Sequence, residues 1–415
     1  MMDAVSIFAL DPLLVGDIGW AEVLIVLLKT VVAFGLLLNS VILMIWFERK
    51  LISDFQNRVG PNKAGPWGLL QTLADGLKLI MKEDLIPAKA DRRVFILAPF
   101  LSAVPAFVVF SIVPIGGAFD GTSDGVVRIF GHDTYMQLAD PPIGVLLILA
   151  CSSIAVYGVM LAGWSSGSKY SLLGSVRGTA QMVSYEAALG LSVVAVVMLA
   201  GSLSTHEIVL AQSGGGYDLS GSFGLPRWNV IATGLVPFVV FLIAGTAELN
   251  RPPFDLVEAE QELVGGFHTE YSSFRFALFY LAEFMNTITM SAIIVTLFFG
   301  GPAGPVFIGP GWLWGVLWFS LKVFVFLFIF VWVRATLPRF RYDQLMNIGW
   351  KALIPLSLGW ILLLGAINIG RDEDWNMGVV VGGSFAVLVV AWLLLTMSID
   401  AAQRRRAHDD EEVLV

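Results

Sequence analysis

Nine long apolar runs follow one another along the chain, separated by shorter polar segments. A helix needs roughly 20 mostly apolar residues to cross the hydrocarbon core of a bilayer, and each run has about that length. The pattern therefore predicts an all-α, polytopic membrane protein with nine transmembrane helices. Numbered in chain order, the spans are expected at about 20–47, 94–116, 143–164, 181–201, 229–248, 276–300, 312–335, 351–370 and 377–398.

The segment between spans 1 and 2 carries a helical pattern of its own. Over residues 67–82, the polar residues Gln71, Asp75, Lys78 and Lys82 recur at intervals of three or four, which leaves leucines for the opposite face. This spacing is typical of an amphipathic helix that lies in the membrane interface.

Lysine and arginine collect on one side of the predicted membrane. The loops after spans 1, 3, 5 and 7 and the C-terminal tail hold 20 of the 25 basic residues, against 3 for the N-terminus and the other loops. Basic residues concentrate on the cytoplasmic side, so we expect the N-terminus outside and the C-terminus in the cytoplasm. Residues 1–17 lack the basic start of a cleavable signal, so span 1 is expected to be retained. We call the basic side inner and the opposite side outer.

The amino-acid composition excludes several classes of function. Hydrophobic residues make up 57% of the chain and charged residues 14%, and the net charge of −8 leaves no basic face for a nucleic acid. Cys151 is the single cysteine, which excludes disulfides, thiolate zinc and cysteine-ligated iron–sulfur clusters within this chain. All four histidines lie outside the apolar runs, which disfavours a buried haem. If the protein takes part in redox chemistry, its partners carry the metal.

Four ionisable residues lie at membrane depth in predicted spans, away from the span ends, where a charge costs on the order of 3 kcal/mol and marks a functional candidate. They are Lys29, Glu186, Glu283 and Lys322. The alternative is that each is hydrogen-bonded in the bundle and only fixes packing. For Lys29 we favour that alternative, with its ammonium group reaching the interface. Lys322 lies too deep among phenylalanines to do the same.

The loop after span 5 is rich in acids. Residues 247–270 hold six acids against Arg251. If residues 255–264 are helical, Asp255, Glu258 and Glu262 share one face, and carboxylates that close together share protons. The alternative is a solvated acidic loop, but Pro, Phe, Leu and Val interrupt the acids. We therefore expect a set of acids that stores and passes protons.

The other inner loops mix both signs of charge. Residues 48–62 form a polar loop that contains a Gly-Pro-Asn turn. The loop after span 7 carries Arg334, Arg339 and Arg341 close to Asp343. Guanidinium groups suit fixed carboxylate partners, so we expect these arginines to pair with acids of the other inner loops. The alternative is ordinary positive-inside anchoring.

Together these motifs resemble the H-chain family of respiratory complex I, the NADH:quinone oxidoreductase. The resemblance covers about residues 20–370. The motifs are ERK at 48–50, QNRVGPN at 56–62, LADGLKL at 73–79, SYE at 184–186, AELNRPPFDL at 247–256, ELV at 262–264, EYS at 270–272, AEF at 282–284 and PRFRYDQLM at 338–346, together with Glu258 and Glu260.

The resemblance implies a protein that forms a quinone chamber and begins a proton path, without catalysis of its own. It implies that this chain binds no cofactor, that quinone is the substrate, and that flavin and iron–sulfur clusters belong to partner subunits. Other subunits, quinone and lipid are the expected partners, in a prokaryotic cell membrane. Quinone-binding candidates are Glu48, Arg49, Arg58, Asp75, Arg251, Asp255 and Arg334. Proton-path candidates are Glu186, Glu248, Glu258, Glu260, Glu262, Glu270 and Glu283. We add Lys322 because of its depth in span 7.

The chain departs from the family pattern at its C-terminal end. The family has eight spans, so we expect residues 1–370 to form the eight-helix domain with its inner polar loops. Residues 371–415 would add a ninth span and a charged tail with Arg404, Arg405 and Arg406. Span 9 holds no ionisable residue, which favours a packing or lipid-facing role.

Two alternatives stay open from the sequence. One is the related membrane component of a membrane-bound hydrogenase, which shares acid-rich inner loops but need not bind quinone. The other is a stand-alone proton-coupled transporter, because such proteins also carry intramembrane acids. Transporters of that type often show repeated halves, and we find no such repeat in the sequence.

Overall fold

The structure is a computed structural model of the chain. The residues it describes are 11–14, 19–119, 124–213, 227–257, 260–376, 378–387, 389–390, 393 and 397.

The described chain is almost entirely helical, as predicted. In chain order its helices are α1 (Trp20–Phe55), α2 (Gln71–Met81), α3 (Arg92–Ser111), α4 (Gly144–Ser165), α5 (Lys169–Ala200), α6 (Thr205–Ser213), α7 (Asn229–Ala232), α8 (Leu235–Glu248), α9 (Glu260–Leu263), α10 (Ser273–Phe298), α11 (Gly311–Thr336), α12 (Tyr342–Asn347), α13 (Ile354–Asp372) and α14 (Gly378–Val387). Seven described helices are long and apolar enough to cross a membrane: α1, α3, α4, α5, α10, α11 and the continuous stretch Tyr342–Asp372. Because α8 and α14 are shorter, the count of nine spans stays a prediction.

Helix α5 begins at Lys169, well before the predicted start of span 4 near residue 181. Its added turns bury Ser171, Gly174, Ser175 and Gly178, which are spaced at three or four residues. Small residues at this spacing let neighbouring backbones approach closely. A search for long apolar runs does not detect a helix that packs through such a face.

The outer loop between α3 and α4 contains a β-hairpin, although its Gly, Ser and Pro content predicts a simple connector. Strand β1 (Val126–Ile129) pairs antiparallel with β2 (His132–Tyr135). The turn residues Phe130 and Gly131 have φ values of 50° and 89°, which is the backbone geometry that suits a two-residue hairpin. Phenylalanine is not a usual residue for such a turn, so the sequence carried no clear signal.

Hydrogen bonds of Thr134 connect this hairpin to an ion pair between α1 and the segment before it. The Lys29 ammonium lies 2.7 Å from Asp11 Oδ2 and donates to Thr134 Oγ1 at 3.0 Å. The Thr134 hydroxyl in turn donates to Asp11. Lys29 therefore has defined partners on the outer side.

A backbone hydrogen bond joins each end of α4 to a neighbouring segment. On the inner side, the Asp91 N–H donates to the Ser165 carbonyl at 3.0 Å. On the outer side, the Val145 N–H donates to the Leu203 carbonyl at 2.9 Å. The orientation of the two sides relative to the cell stays a prediction.

The chain divides into two compact units, Met1–Ile354 and Pro355–Val415. The division falls before the predicted domain boundary at residue 370, and that boundary stays a prediction. The predicted tail with Arg404, Arg405 and Arg406 lies outside the described residues, as does part of span 9.

Within the first unit, α10 is central, because 83% of its most apolar stretch is buried, against 17% for α1. Helix α4 packs closely on α3 through Gly158. A Cβ atom there would lie 2.8 Å from the Ser102 nitrogen and 3.0 Å from the Ala98 carbonyl oxygen. Since both atoms belong to the backbone of α3, neither can move without shifting that helix.

We expect Gly158→Ala to lower the free energy of unfolding by about 1–3 kcal/mol, because it overfills the contact between α3 and α4. Thermal unfolding of the full chain in detergent measures the loss. Gly190→Ala in α5 is the matched control, because a Cβ there meets nothing within 4 Å. Equal losses in the two variants would contradict the close packing at Gly158.

Candidate functional site

Four charged side chains from different parts of the chain meet on the inner side. Glu48 comes from α1, Arg251 from the turn after α8, Glu283 from α10 and Arg334 from α11. Arg251 Nη1 lies 2.9 Å from Glu48 Oε2, and Arg251 Nε lies 2.8 Å from Glu283 Oε1. Arg334 forms a further ion pair with Glu48. We call these four residues the central ion network.

The network is buried at its centre and balanced in charge. The side chains of Glu48 and Arg251 are each only 6% exposed. The Arg251 guanidinium also lies over the ring of Phe284, at 4.4 Å from its centroid. Because removal of one partner leaves a buried charge uncompensated, the two carboxylates and two guanidinium groups depend on one another.

Gln181 in α5 holds the turn that carries Arg251. It is not among the site residues predicted from the sequence. Its fully buried side chain donates from Nε2 to the carbonyls of Ala247 (2.7 Å) and Phe254 (2.8 Å) and to Asn250 Oδ1 (3.3 Å). These acceptors lie on both sides of Arg251 in the sequence, so one amide fixes both ends of the turn. The available signal was a polar residue at the start of an apolar span.

A polar pocket opens beside the central ion network. It encloses about 810 Å³ of empty space, counting the part open to solvent, and its charged lining comprises Glu48, Arg49, Arg58 and Arg334. All four are predicted quinone-binding residues. Tyr280 of α10 forms part of the wall. The structure thus gathers these four predicted residues around one space.

Asp75 stands behind this pocket rather than in its lining. Its carboxylate lies 2.5 Å from Arg49 Nη1 and accepts a hydrogen bond from Gln71 at 3.1 Å. Helix α2, which was predicted to be interfacial, therefore contacts a pocket arginine through its polar face.

A second, mostly apolar cavity runs inside the bundle between α3, α4, α5, α8 and α10. We call it the bundle cavity; it encloses about 1340 Å³ of empty space, counting the part open to the outside. Its polar lining includes Glu248, Asn250, Glu283 and Asn286. Tyr280 lines both this cavity and the polar pocket. Tyr280 and Glu283 therefore stand on the wall between the two spaces.

Glu186 and Glu248 lie together deeper in the bundle. Glu248 interacts electrostatically with Glu186, and Glu186 accepts a hydrogen bond from Ser153. Glu248 Oε2 is buried and has no hydrogen-bond partner among the described residues. Neither acid forms an ion pair with a cation in the described part of the chain, in contrast to Glu48 and Glu283.

Two of the three arginines after span 7 pair with acids of other inner loops, so the prediction is confirmed for Arg334 and Arg339 but not for Arg341. Arg334 pairs with Glu48, and Arg339 Nη2 lies 2.8 Å from Asp255 Oδ2. Asp255 is buried but does not line either cavity in the described residues.

Residues 255–257 are not helical, so the condition for a shared acidic face over residues 255–264 is not met. Among the described residues of this loop, helix α9 covers Glu260–Leu263, and Asp255 lies before it in irregular backbone. The Phe254 carbonyl is taken by Gln181 and by the Leu256 N–H, so it is not available to a regular helix. Asp255 and Glu262 therefore do not share a helical face, and Glu258 lies outside the described residues.

The remaining acidic candidates stand apart from the two cavities. Glu262 pairs with Arg177 at 2.7 Å and is 64% exposed. Glu270 is partly buried in the loop before α10. The backbone of Glu260 belongs to α9, and its side chain lies outside the described residues.

Lys322 lies near the outer end of α10. Its ammonium donates to the carbonyls of Phe299 (2.8 Å), Gly301 (2.9 Å) and Ala303 (2.7 Å). These are carbonyls at and beyond the helix end, which lack intrahelical partners. Lys322 thus caps α10 in this structure.

Burial shifts the pKa values of three groups in the loops. It raises the pKa of Tyr271 to about 12, where the ring stacks on Phe95 and the hydroxyl donates to the Phe95 carbonyl. On the outer side, burial lowers the pKa of His206 and raises that of Asp140. Across the described residues, no cluster of three His, Cys, Asp or Glu side chains is placed to hold a metal ion.

The sequence of the chain matches those of known proteins. A family model described as NADH dehydrogenase matches residues 28–365. The H subunit of NADH-quinone oxidoreductase from Frankia alni is 49% identical over 395 residues, which cover 94% of this chain and 82% of the relative. The protein of the same name in Frankia casuarinae is 49% identical over 399 residues, with 94% and 82% covered. That of Streptomyces avermitilis is 44% identical over 396 residues, with 93% and 83% covered.

We expect Arg251→Met to lower the free energy of unfolding by about 3–5 kcal/mol, because it leaves the Glu48 and Glu283 carboxylates without their shared cation. Thermal unfolding of the full chain in detergent measures the loss. The matched control is Arg341→Met, which removes an exposed guanidinium that forms no ion pair with the described residues.

The double variant Glu48→Gln, Arg251→Met tests whether the loss arises from the pair. Its loss should be smaller than the sum of the single losses, by about 0.5–3 kcal/mol, as for residues in one network. Strictly additive losses would show that Glu48 and Arg251 act independently.

Proposed function

Because the chain belongs to the NADH dehydrogenase family and its relatives are H subunits of NADH-quinone oxidoreductase, we propose that it forms a quinone chamber and the first part of a proton path. It is a multi-pass membrane subunit of complex I, an oxidoreductase, and works beside the other subunits of that complex. The names of the relatives favour this function over the hydrogenase component and the stand-alone transporter.

The polar pocket supports the chamber. A quinone that accepts electrons gains negative charge on its oxygens, and Arg49, Arg58 and Arg334 bring guanidinium groups to one space where that charge is stabilised. Asp75 orients Arg49, while Arg251 and Asp255 brace the walls through their ion pairs. In this proposal the chain supplies no electron carrier, and electrons arrive from flavin and iron–sulfur clusters on partner subunits.

The proton path begins at the central ion network. The network separates the polar pocket from the bundle cavity, and Glu283 belongs both to the network and to the cavity lining. A change of charge at the quinone alters the balance between Arg334, Glu48 and Arg251. Glu283 then exchanges a proton with the cavity.

From the cavity the path continues to Glu248, which lines it, and on to Glu186, which interacts with Glu248. Neither acid has a cationic partner in the described chain. Carboxyl groups that interact in this way titrate together and share protons. The observation that carries the proposal is the buried Glu48–Arg251–Glu283 bridge between the two spaces.

The other acids and Lys322 have a lesser place in this proposal. Glu258, Glu260, Glu262 and Glu270 would collect protons at the inner surface. Lys322 lies at the outer end of α10, where its role in proton movement requires release of a helix-end carbonyl. We further propose the N-terminus outside, the C-terminus in the cytoplasm, and a ninth helix in residues 371–415 that does not take part in catalysis.

Glu186→Gln and Glu283→Gln should each lower proton translocation driven by NADH oxidation in proteoliposomes by roughly tenfold or more, because a positioned proton-transfer group contributes about 10² to 10⁴ in rate. The amount of assembled complex should stay unchanged. Glu207→Gln, an exposed acid on the outer side, is the matched control. Normal pumping in both variants would return Glu186 and Glu283 to a packing role.

Arg58→Gln and Asp75→Asn should raise the apparent KM for short-chain quinones by roughly tenfold or more, since a hydrogen bond to a charged group contributes about 1.5–3 kcal/mol. Steady-state NADH oxidation with added quinone measures the change. Lys63→Gln, an exposed cation of the same inner loop, should leave KM unaltered. If only complex assembly suffers, the chamber assignment is wrong.

A further inference from the structure

Two inner loops meet at a corner that is rich in unpaired cations. Besides the Asp91–Ser165 hydrogen bond described above, a Cβ atom at Gly167 would lie 2.8 Å from the Lys89 carbonyl oxygen. Gly167 adopts φ +66°, and the absence of a side chain permits this approach. The start of α3 and the α4–α5 turn therefore form one surface.

Four basic residues lie within four positions of this contact: Lys89, Arg92, Arg93 and Lys169. At 3.8 Å between successive Cα atoms, they lie within roughly 15 Å of it. All four are exposed. Over residues 88–93 and 164–170 the one acid is Asp91, and its carboxylate accepts from the Arg93 N–H at 3.1 Å.

The cations of the inner side fall into two groups, those that are paired with acids and those that are not. Six inner arginines are matched with acids, and they are Arg49, Arg177, Arg251, Arg275, Arg334 and Arg339. The four cations of the corner form no ion pair with any described residue. Their charge is therefore available to an external anion.

Exposed apolar stripes begin directly above these cations. On α3, Leu97, Phe100 and Val104 follow Arg93 at intervals of four, three and four, and each is about half exposed. On α4, Trp164 ends a similar exposed stripe and is 64% exposed. Tryptophan prefers the level of the lipid headgroups. The four cations suit an anionic group at the level of the headgroups. The exposed stripes on α3 and α4 suit an apolar chain next to it.

We propose that this corner binds the phosphate headgroup of an anionic phospholipid, whose acyl chains lie against the exposed stripes of α3 and α4. A soluble partner protein would satisfy the cations but would not reach the apolar stripes at membrane depth. Free phosphate would satisfy the cations and leave the stripes bare. The combination matches a phospholipid with net negative charge.

Native mass spectrometry of the full chain, titrated with phosphatidylglycerol, tests the affinity. The variant Arg93→Gln, Lys169→Gln should bind about 30-fold more weakly, because each cation near an anionic surface contributes about fivefold. The charge-preserving variant Arg93→Lys, Lys169→Arg should bind as the unaltered chain does. Lys63→Gln, Lys351→Gln removes the same charge elsewhere and is the matched control. Equal weakening in the control, or equal binding of phosphatidylcholine, would overturn the proposal.

Hydrogen–deuterium exchange of the assembled complex in lipid nanodiscs tests the location. Backbone amides of residues 88–93 and 166–171 should exchange more slowly when phosphatidylglycerol is added to phosphatidylcholine, and the Arg93→Gln, Lys169→Gln variant should lose this protection. Protection by inorganic phosphate alone would overturn the lipid assignment. So would loss of complex assembly in the variant with unchanged lipid binding, because the corner would then contact another protein of the complex.

Discussion

A buried arginine shared by two carboxylates holds the inner half of the bundle together. Arg251 joins α1 through Glu48 and α10 through Glu283, and Glu48 extends the connection to α11 through Arg334. An isolated charge at this depth is costly, but a balanced set is tolerated when every member has a partner. One end of the bridge, Glu48, lines the polar pocket, and the other end, Glu283, lines the apolar bundle cavity. The arrangement of the proposed site therefore depends on the need to compensate charges that are buried away from water.

The length of the apolar runs predicted most of the fold. The long apolar helices lie where the hydropathy pattern places them, because a bilayer leaves few alternatives to a helix. The pattern failed where local contacts decide the structure. Helix α5 extends over small buried residues such as Gly174, the hairpin turns at Phe130, and Gln181 takes the Phe254 carbonyl that a helix over residues 255–264 would need.

For the site, the sequence predicted which types of residue come together but not which particular residues form each pair. Charge complementarity indicated that arginines after span 7 pair with inner acids, and the structure pairs Arg334 with Glu48 and Arg339 with Asp255. The role of Gln181 could not be read in advance, since two of its three acceptors are backbone carbonyls. Backbone groups are the same at every position, so a sequence does not distinguish which of them a side chain will reach.

The cap that Lys322 forms on α10 has a consequence for charge movement. A lysine ammonium has three hydrogens, and in Lys322 each of them already has a carbonyl oxygen to bond. Deprotonation would therefore leave one of these three carbonyl oxygens, at or just beyond the end of α10, without the donor that it has in this structure. Release of a proton here is coupled to the contacts that hold the segment after the helix.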